Sequence, residues 1–255
     1  DRRELERPLT GPIELYGFYL DPRVDTRNFM DQMEQAVRDM EEFMGVPLPT
    51  KDIILLFAST GESALGLNMG THMVVTPDPQ ADKERFKVIV HEVGHFFWNG
   101  ASSDTPQRGV PLWFQEGGAN FLASFVFSRS DHPLSETLAE TEAKLSQEIR
   151  WCQNQGISRL QQLIDTVGRE GYREHQQTPQ FICNYWVGES FFLTLYATVG
   201  HQAFTASWQE IYLLTQSTQR PITEAEIFST FLGNTQSDQV EGFKQLYSSM
   251  HGGDF

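Results

Sequence analysis

The sequence KVIVHEVGHFFWNG occupies positions 87–100 and contains two histidines four residues apart, His91 and His95, with Glu92 beside the first. On a helix, residues four apart share a face, so both imidazoles can reach one ion. Zinc accepts neutral imidazole nitrogen readily and brings no redox chemistry of its own. Glu92 is placed to take a proton from a water activated by that metal. Val88, Ile89, Val90 and Val93, then Phe96, Phe97 and Trp98, give the motif the apolar surroundings of a buried helix. Asn99-Gly100 supplies a helix stop.

A catalytic zinc needs three protein ligands and an open position for water. A third histidine in the pattern H-E-x-x-H-x-x-G-x-x-H is excluded, because Trp98 and Ala101 stand at the Gly and final His positions. The better candidate is Glu116 in PLWFQEGGANFLAS, Pro111–Ser124, with 20 residues (96 to 115) between it and His95. A helix–loop–helix of that length can fold its second helix back beside the first. Trp113, Phe114 and Phe121 mark the segment as buried, and a buried carboxylate needs a partner. Gly117 and Gly118 each cost a helix about 1 kcal/mol relative to Ala, which points to a close backbone approach beside Glu116.

The 255 residues suffice for a full core, and 39% hydrophobic with 12% aromatic residues are globular values. A net charge of −15 argues against nucleic acid and anionic membranes as main partners. No run approaches 18 apolar residues, so no membrane span is expected. The chain begins at Asp1 rather than Met; a removed targeting segment would account for this, and an exported location is the favoured expectation. Cys152 and Cys183, 31 positions apart, suit either one disulfide or two buried thiols.

In chain order, residues 1–26 read as an arm or the stub of a preceding region, with an apolar run at Ile13–Leu20. Helical spacing of Phe29, Met33, Val37, Met40 and Met44 predicts a helix over 28–44, ended by Gly45 and Pro47. Asp52–Ser59 and His72–Thr76 read as strands, with a glycine-rich loop at Gly61–Gly70 between them. The motif helix spans Lys83–Asn99. Pro111 opens a helix running to Ser128. Further helices are expected at 134–153, 160–167, 181–198 (ended by Gly200), 203–215 and 239–250. Thr223 and Glu226 form a capping box for Glu224–Leu232.

H-E-V-G-H at 91–95 followed by W-F-Q-E-G-G-A at 113–119 resembles the gluzincins, the thermolysin-like and aminopeptidase-N-like zinc peptidases. The resemblance extends in element order over Lys51–Leu232 and in detail over three short motifs. It implies an α+β zincin (thermolysin-like) catalytic domain over residues 1–255, with a small N-terminal α/β lobe (1–100) ending in the zinc helix and a mainly helical lobe (101–255). It implies Zn2+ held by His91, His95 and Glu116, with Glu92 as general base. Thermolysin-like enzymes place an acidic residue one turn after the ligand glutamate to brace a ligand histidine. Asn120 stands there, and its carbonyl can accept an imidazole N–H without adding charge. The third motif, NYWVG at Asn184–Gly188, resembles the Y-x-x-G segment of aminopeptidase-N-like enzymes and implies Tyr185 as a donor to the tetrahedral intermediate. Ordinary packing is the competing reading of Tyr185, given Trp186, Phe191 and Phe192 nearby. His72, His132, His175, His201 and His251 lack metal spacing.

Aminopeptidases of this clan carry an upstream acidic group that holds the substrate's free amine. The corresponding stretch, LGLNMGTHMVVT at Leu65–Thr76, contains no Asp or Glu. An ammonium sheds its water cheaply only beside a carboxylate. The expected activity is therefore that of a zinc metallopeptidase acting on a peptide or protein substrate as an endopeptidase. The alternatives are an aminopeptidase of the same clan with its anchor elsewhere, such as Glu62, and a catalytically weak peptide-binding module. Intact His91, Glu92, His95 and Glu116 weigh against the last.

Overall fold

Parallel strands cannot be joined by a tight turn, and the first crossover of this chain is a helix lined with methionine. In the computed structural model the described residues are 2–5, 12–19, 26–49, 52–57, 66–68, 72–75, 82–98, 109–130, 135–163, 177–218 and 220–251. They divide into two compact units: Asp1–Asp104 with Leu122–Ser135, and Thr105–Phe121 with Glu136–Phe255.

The first unit holds β1 (Arg2–Leu5), β2 (Ile13–Tyr19), α1 (Thr26–Met44), β3 (Asp52–Phe57), β4 (Gly66–Asn68), β5 (His72–Val75) and α2 (Asp82–Trp98). The strands form one sheet in the order β1-β2-β3-β5-β4. β2, β3 and β5 run parallel, and the short outer strands β1 and β4 are antiparallel to their neighbours. Alternation buries Ile13 and Leu15 on β2, with Leu15 opposite Ile53. The crossover helix α1 buries Met30, Met33, Val37, Met40 and Met44 in its helical stripe. It stops at Gly45, whose φ of 62° is cheap only for glycine and whose N–H donates to the Glu41 carbonyl. The Glu41 carboxylate in turn accepts the N–H of Leu48 at 2.7 Å and holds the chain leaving the helix. Residues read as an arm are thus two strands, and part of the glycine-rich loop is the edge strand β4. Both corrections have one cause: strand pairing supplied an order that neither short segment signals alone.

Helix α3 (Leu112–Arg129) crosses the division between the units. Its last turns belong to the first unit, where Phe125 meets Phe43 edge-on (4.9 Å between ring centroids) and Lys87 Nζ donates to Ser124 Oγ at 3.4 Å. Its first turns belong to the second unit, with α4 (Leu138–Asn154), a 3₁₀ turn (Leu160–Gln162), α5 (Pro179–Ser217), α6 (Glu224–Asn234) and α7 (Val240–His251). The second core is aromatic: Trp113, Phe114, Phe121, Phe192, Phe204 and Trp208 are all buried. Trp113 also donates its indole N–H to Glu224 at 2.7 Å. α4 begins later than residue 134 because the Thr137–Glu140 capping box fixes its start. The helices expected at 181–198 and 203–215 are one run, α5, broken at Gly200 (φ 76°, ψ 166°). Cys152 and Cys183 are joined in a disulfide that ties α4 to α5. No helix among the described residues is long and apolar enough to cross a membrane.

The expected capping box opens α6: Thr223 Oγ1 accepts the Glu226 N–H, and Glu226 accepts the Thr223 N–H. Arg220, and then the Thr223 N–H, hold the Glu226 carboxyl down at about 2 from the ordinary 4.5. A depressed folded-state value means the contribution is present above about pH 4.5 and is lost as pH falls toward 2. Thr223→Ala should cost about 1 kcal/mol in chemical denaturation. Glu226→Gln should narrow its gap from wild type as the pH of the same titration is lowered from 5 to about 2.5.

Candidate metal centre

One turn of α2 separates His91 from His95, so the helix itself sets their spacing. Their Nε2 atoms lie 3.0 Å apart and their rings meet edge to face. Glu116, on the second turn of α3, completes the group: each of the three residues offers one ligand atom, all within 4.8 Å of one another. Among the described residues no other group of three such side chains converges in this way. His91, Glu92, His95 and Glu116 are 9%, 5%, 6% and 5% exposed, so Glu116 is no solvent-face decoration.

The donor set can be tested against an ion. A tetrahedral site with bonds of about 2.0–2.1 Å separates neighbouring ligand atoms by roughly 3.3 Å, close to the imidazole spacing seen here. Two nitrogens and one carboxylate suit zinc, whereas calcium and magnesium take oxygen ligands in larger number. The residues present therefore fit a zinc ion.

Local structure aims Glu116. The Pro111 carbonyl accepts the N–H groups of Phe114 and Gln115, Gln115 Nε2 donates to the Val110 carbonyl at 2.7 Å, and Gly109 is paired with Ile222. These bonds fix where α3 starts. Gly117 then sets how closely α5 passes: a Cβ there would meet Gly188 Cα at 2.4 Å. A Cβ on Gly188 would meet the Trp113 carbonyl oxygen at 2.5 Å. The close approach expected beside Glu116 is present, and its partner is Gly188, the last residue of the NYWVG motif. At Gly118 an added Cβ would only touch the Phe192 and Trp208 rings at 3.4 Å.

Tyr185 lies one turn before Gly188 on α5, half-buried, with its ring 6.1 Å from that of Phe181. Asn120, one turn beyond Glu116 on α3, is also half-buried. His201 is exposed, with Tyr196 Oη 3.5 Å from its Nδ1. His132, His175 and Glu62 lie outside the described residues, as does most of the loop 58–71. Sequence reasoning passed over Glu189, a carboxylate only 7% exposed at one turn past Tyr185. Its signal was available: it is the one acid in the apolar stretch 181–198.

No family model matches the sequence, and no curated protein matches it. Solved structures do. An M1 zinc metallopeptidase from Deinococcus radiodurans, a point mutant bound to a Tyr-Ser-Ala substrate, superposes with a TM-score of 0.64 at 16% identity over 99% of this chain. The same organism's M1 zinc metallopeptidase without that mutation gives 0.63 at 15% identity over 96%. A two-domain M1 zinc metallopeptidase mutant bound to L-arginine gives 0.65 at 15% identity over 100%. The chain spans about half the length of these structures, 51–52%. At this identity the likeness establishes the fold: an α+β architecture shared with M1 zinc metallopeptidases.

The glycine crossing yields a direct expectation. Gly188→Ala and Gly117→Ala should each lower the denaturant midpoint by the equivalent of about 1–3 kcal/mol or more, as overpacking does, whereas Gly233→Ala, where nothing lies within 4 Å of the added carbon, should be neutral or slightly stabilising.

Proposed function

We propose that this protein is a zinc-dependent metallopeptidase. The observation that carries the reading is the buried convergence of His91, His95 and Glu116 within ligand distance of a single ion. A zinc ion held by these three residues would supply Lewis acidity to a water and to a peptide carbonyl.

The chain's own residues supply the rest. Glu92 is buried and directly follows a ligand, where a carboxylate can take the proton of the attacking water and pass it to the leaving amine. Tyr185 would donate its O–H to the carbonyl oxygen as negative charge develops there. Asn120 would orient a ligand histidine by accepting its ring N–H. Helical periodicity supports that assignment. Lys87 bonds Ser124; four-residue steps from that pair reach His91 and Asn120, and then His95 and Glu116.

We infer that cleavage falls within chains, as an endopeptidase, because Leu65–Thr76 carries no acid to hold a substrate amine. A second reading, the aminopeptidase, is favoured by the similar solved structures, one bound to a tripeptide substrate and another to L-arginine, ligands with a free amine.

Protein purified without chelator should carry about one zinc per chain, measured by plasma emission against protein concentration. Glu92→Gln should keep that zinc and lose about 10²–10⁴-fold in turnover, while Glu116→Ala should lose zinc affinity. Retention of zinc by Glu116→Ala with release from Glu92→Gln would reverse the two roles. Peptides blocked at the amino terminus should be cut at least as fast as free ones. A fluorogenic panel in which only free-amine peptides are cut, one residue at a time, would replace the endopeptidase with the aminopeptidase.

A further inference from the structure

The second turn of α5, which carries Tyr185, is gripped from two sides. On one side Gly188 lies against the backbone of α3 at Trp113 and Gly117. On the other Cys183 is bonded to Cys152 of α4, and both cysteines are fully buried. The bridge has an aromatic brace: Trp151 and Trp186 meet edge to face with centroids 5.5 Å apart. Tyr185 sits two residues after the bridged cysteine and three before the glycine.

Gly188 lies five positions after Cys183, and at 3.6 residues per turn this places them about 140° apart around the helix. Two fixed contacts so far apart, added to the burial of Phe181 and Val187 on the same turns, hold both the rotation and the height of this segment. The helix start needs that restraint. Tyr185 is only six residues from the first residue of α5, and helix ends open most easily. A phenol oxygen lies roughly 8 Å from the helix axis, so a roll of about 10° moves it by more than ~1 Å. Displacement of that size is enough to spoil a donor aimed at a developing charge.

We propose that the Cys152–Cys183 disulfide is a positioning device for Tyr185: it sets the rotation of the first turns of α5 so that the phenol donor meets the reacting carbonyl. The proposal rests on the reading of Tyr185 as oxyanion donor given above. Because both sulfurs are buried, a thiol reaches them only after local opening, so the bridge is a standing restraint and not a fast switch. Trp151 and Trp186 share the work by keeping α4 and α5 in register on either side of the sulfur bridge.

The test is a double-mutant cycle on zinc-loaded protein: wild type, Cys152→Ala/Cys183→Ala, Tyr185→Phe, and the triple variant. Removal of the bridge should lower kcat by about tenfold or more, with KM and zinc content essentially unchanged. In the Tyr185→Phe background the same removal should leave kcat nearly unchanged, because the group being positioned is already gone. Amide hydrogen exchange supplies a readout independent of turnover: residues 179–188 should exchange faster without the bridge, while residues 201–217 do not. Equal losses of kcat in both backgrounds would make the bridge a general support and overturn the proposal. Loss of zinc with the bridge, or unchanged exchange over 179–188, would also overturn it. If the cysteine-free protein does not accumulate folded, wild type reduced by a water-soluble phosphine, with thiols counted, serves in its place. A wild type that holds zinc yet cleaves no peptide would defeat the peptidase reading, and exchange alone would then decide whether the bridge restrains this turn.

Discussion

Two glycines without side chains decide how closely α3 and α5 pass. Helices ordinarily pack with their axes 8–10 Å apart, kept there by side chains at the contact. At Gly117 and Gly188 the side chains are missing, and the backbones of α3 and α5 touch. Glu116 is the neighbour of one glycine and Tyr185 is one turn from the other, so the crossing sets the spacing between the two turns that carry them. The aromatic rings of Trp113, Phe114, Phe191 and Phe192 close around it. Their burial supplies the apolar contact that the glycines forgo, and the Glu224 carboxylate accepts the buried indole N–H of Trp113.

The metal-site candidates were legible in the sequence because each rests on local chemistry. His91 and His95 share a face by helix geometry alone. Glu116 declared itself as an acid among Trp113, Phe114 and Phe121, a setting that needs a partner. The cap of α6 was likewise written in Thr223 and Glu226. What stayed hidden depends on partners distant in sequence. Arg2–Leu5 has the composition of a solvated tail and becomes a strand only because Ile13–Tyr19 offers it an edge. Gly66–Asn68 is too short to signal anything before β5 pairs with it. Gly117 announced a close approach beside Glu116 without naming α5 as the approaching element. A 31-residue separation between the cysteines fitted a bridge and two thiols equally well, and only the packing of α4 against α5 distinguishes them.

A shared architecture at 15–16% identity indicates which constraints are hard and which are soft. Core positions accept any apolar residue of suitable volume, so an aromatic interior such as that of the second unit can be repacked while the fold persists. Donor atoms around an ion have no such freedom, since a ligand shifted by one residue faces another direction. Sequence similarity over the whole chain can therefore fade until family models no longer match, while helix order and a few polar positions stay legible.

The break at Gly200 bears on how this chain could have changed length over time. In an uninterrupted helix an inserted residue turns everything beyond it by about 100° and slides it by 1.5 Å, so insertions there are normally eliminated. Gly200 leaves the helical path with φ of 76°, and the nearest atom to a side chain placed there is Gln239 Nε2 at 3.9 Å. A residue gained or lost at that point would be absorbed by the break, not handed back to the turns that carry Tyr185 and Gly188. The half of α5 beyond residue 200 can thus take the phase that seats Phe204 and Trp208 in the core, while the half before it keeps the phase set at Gly188.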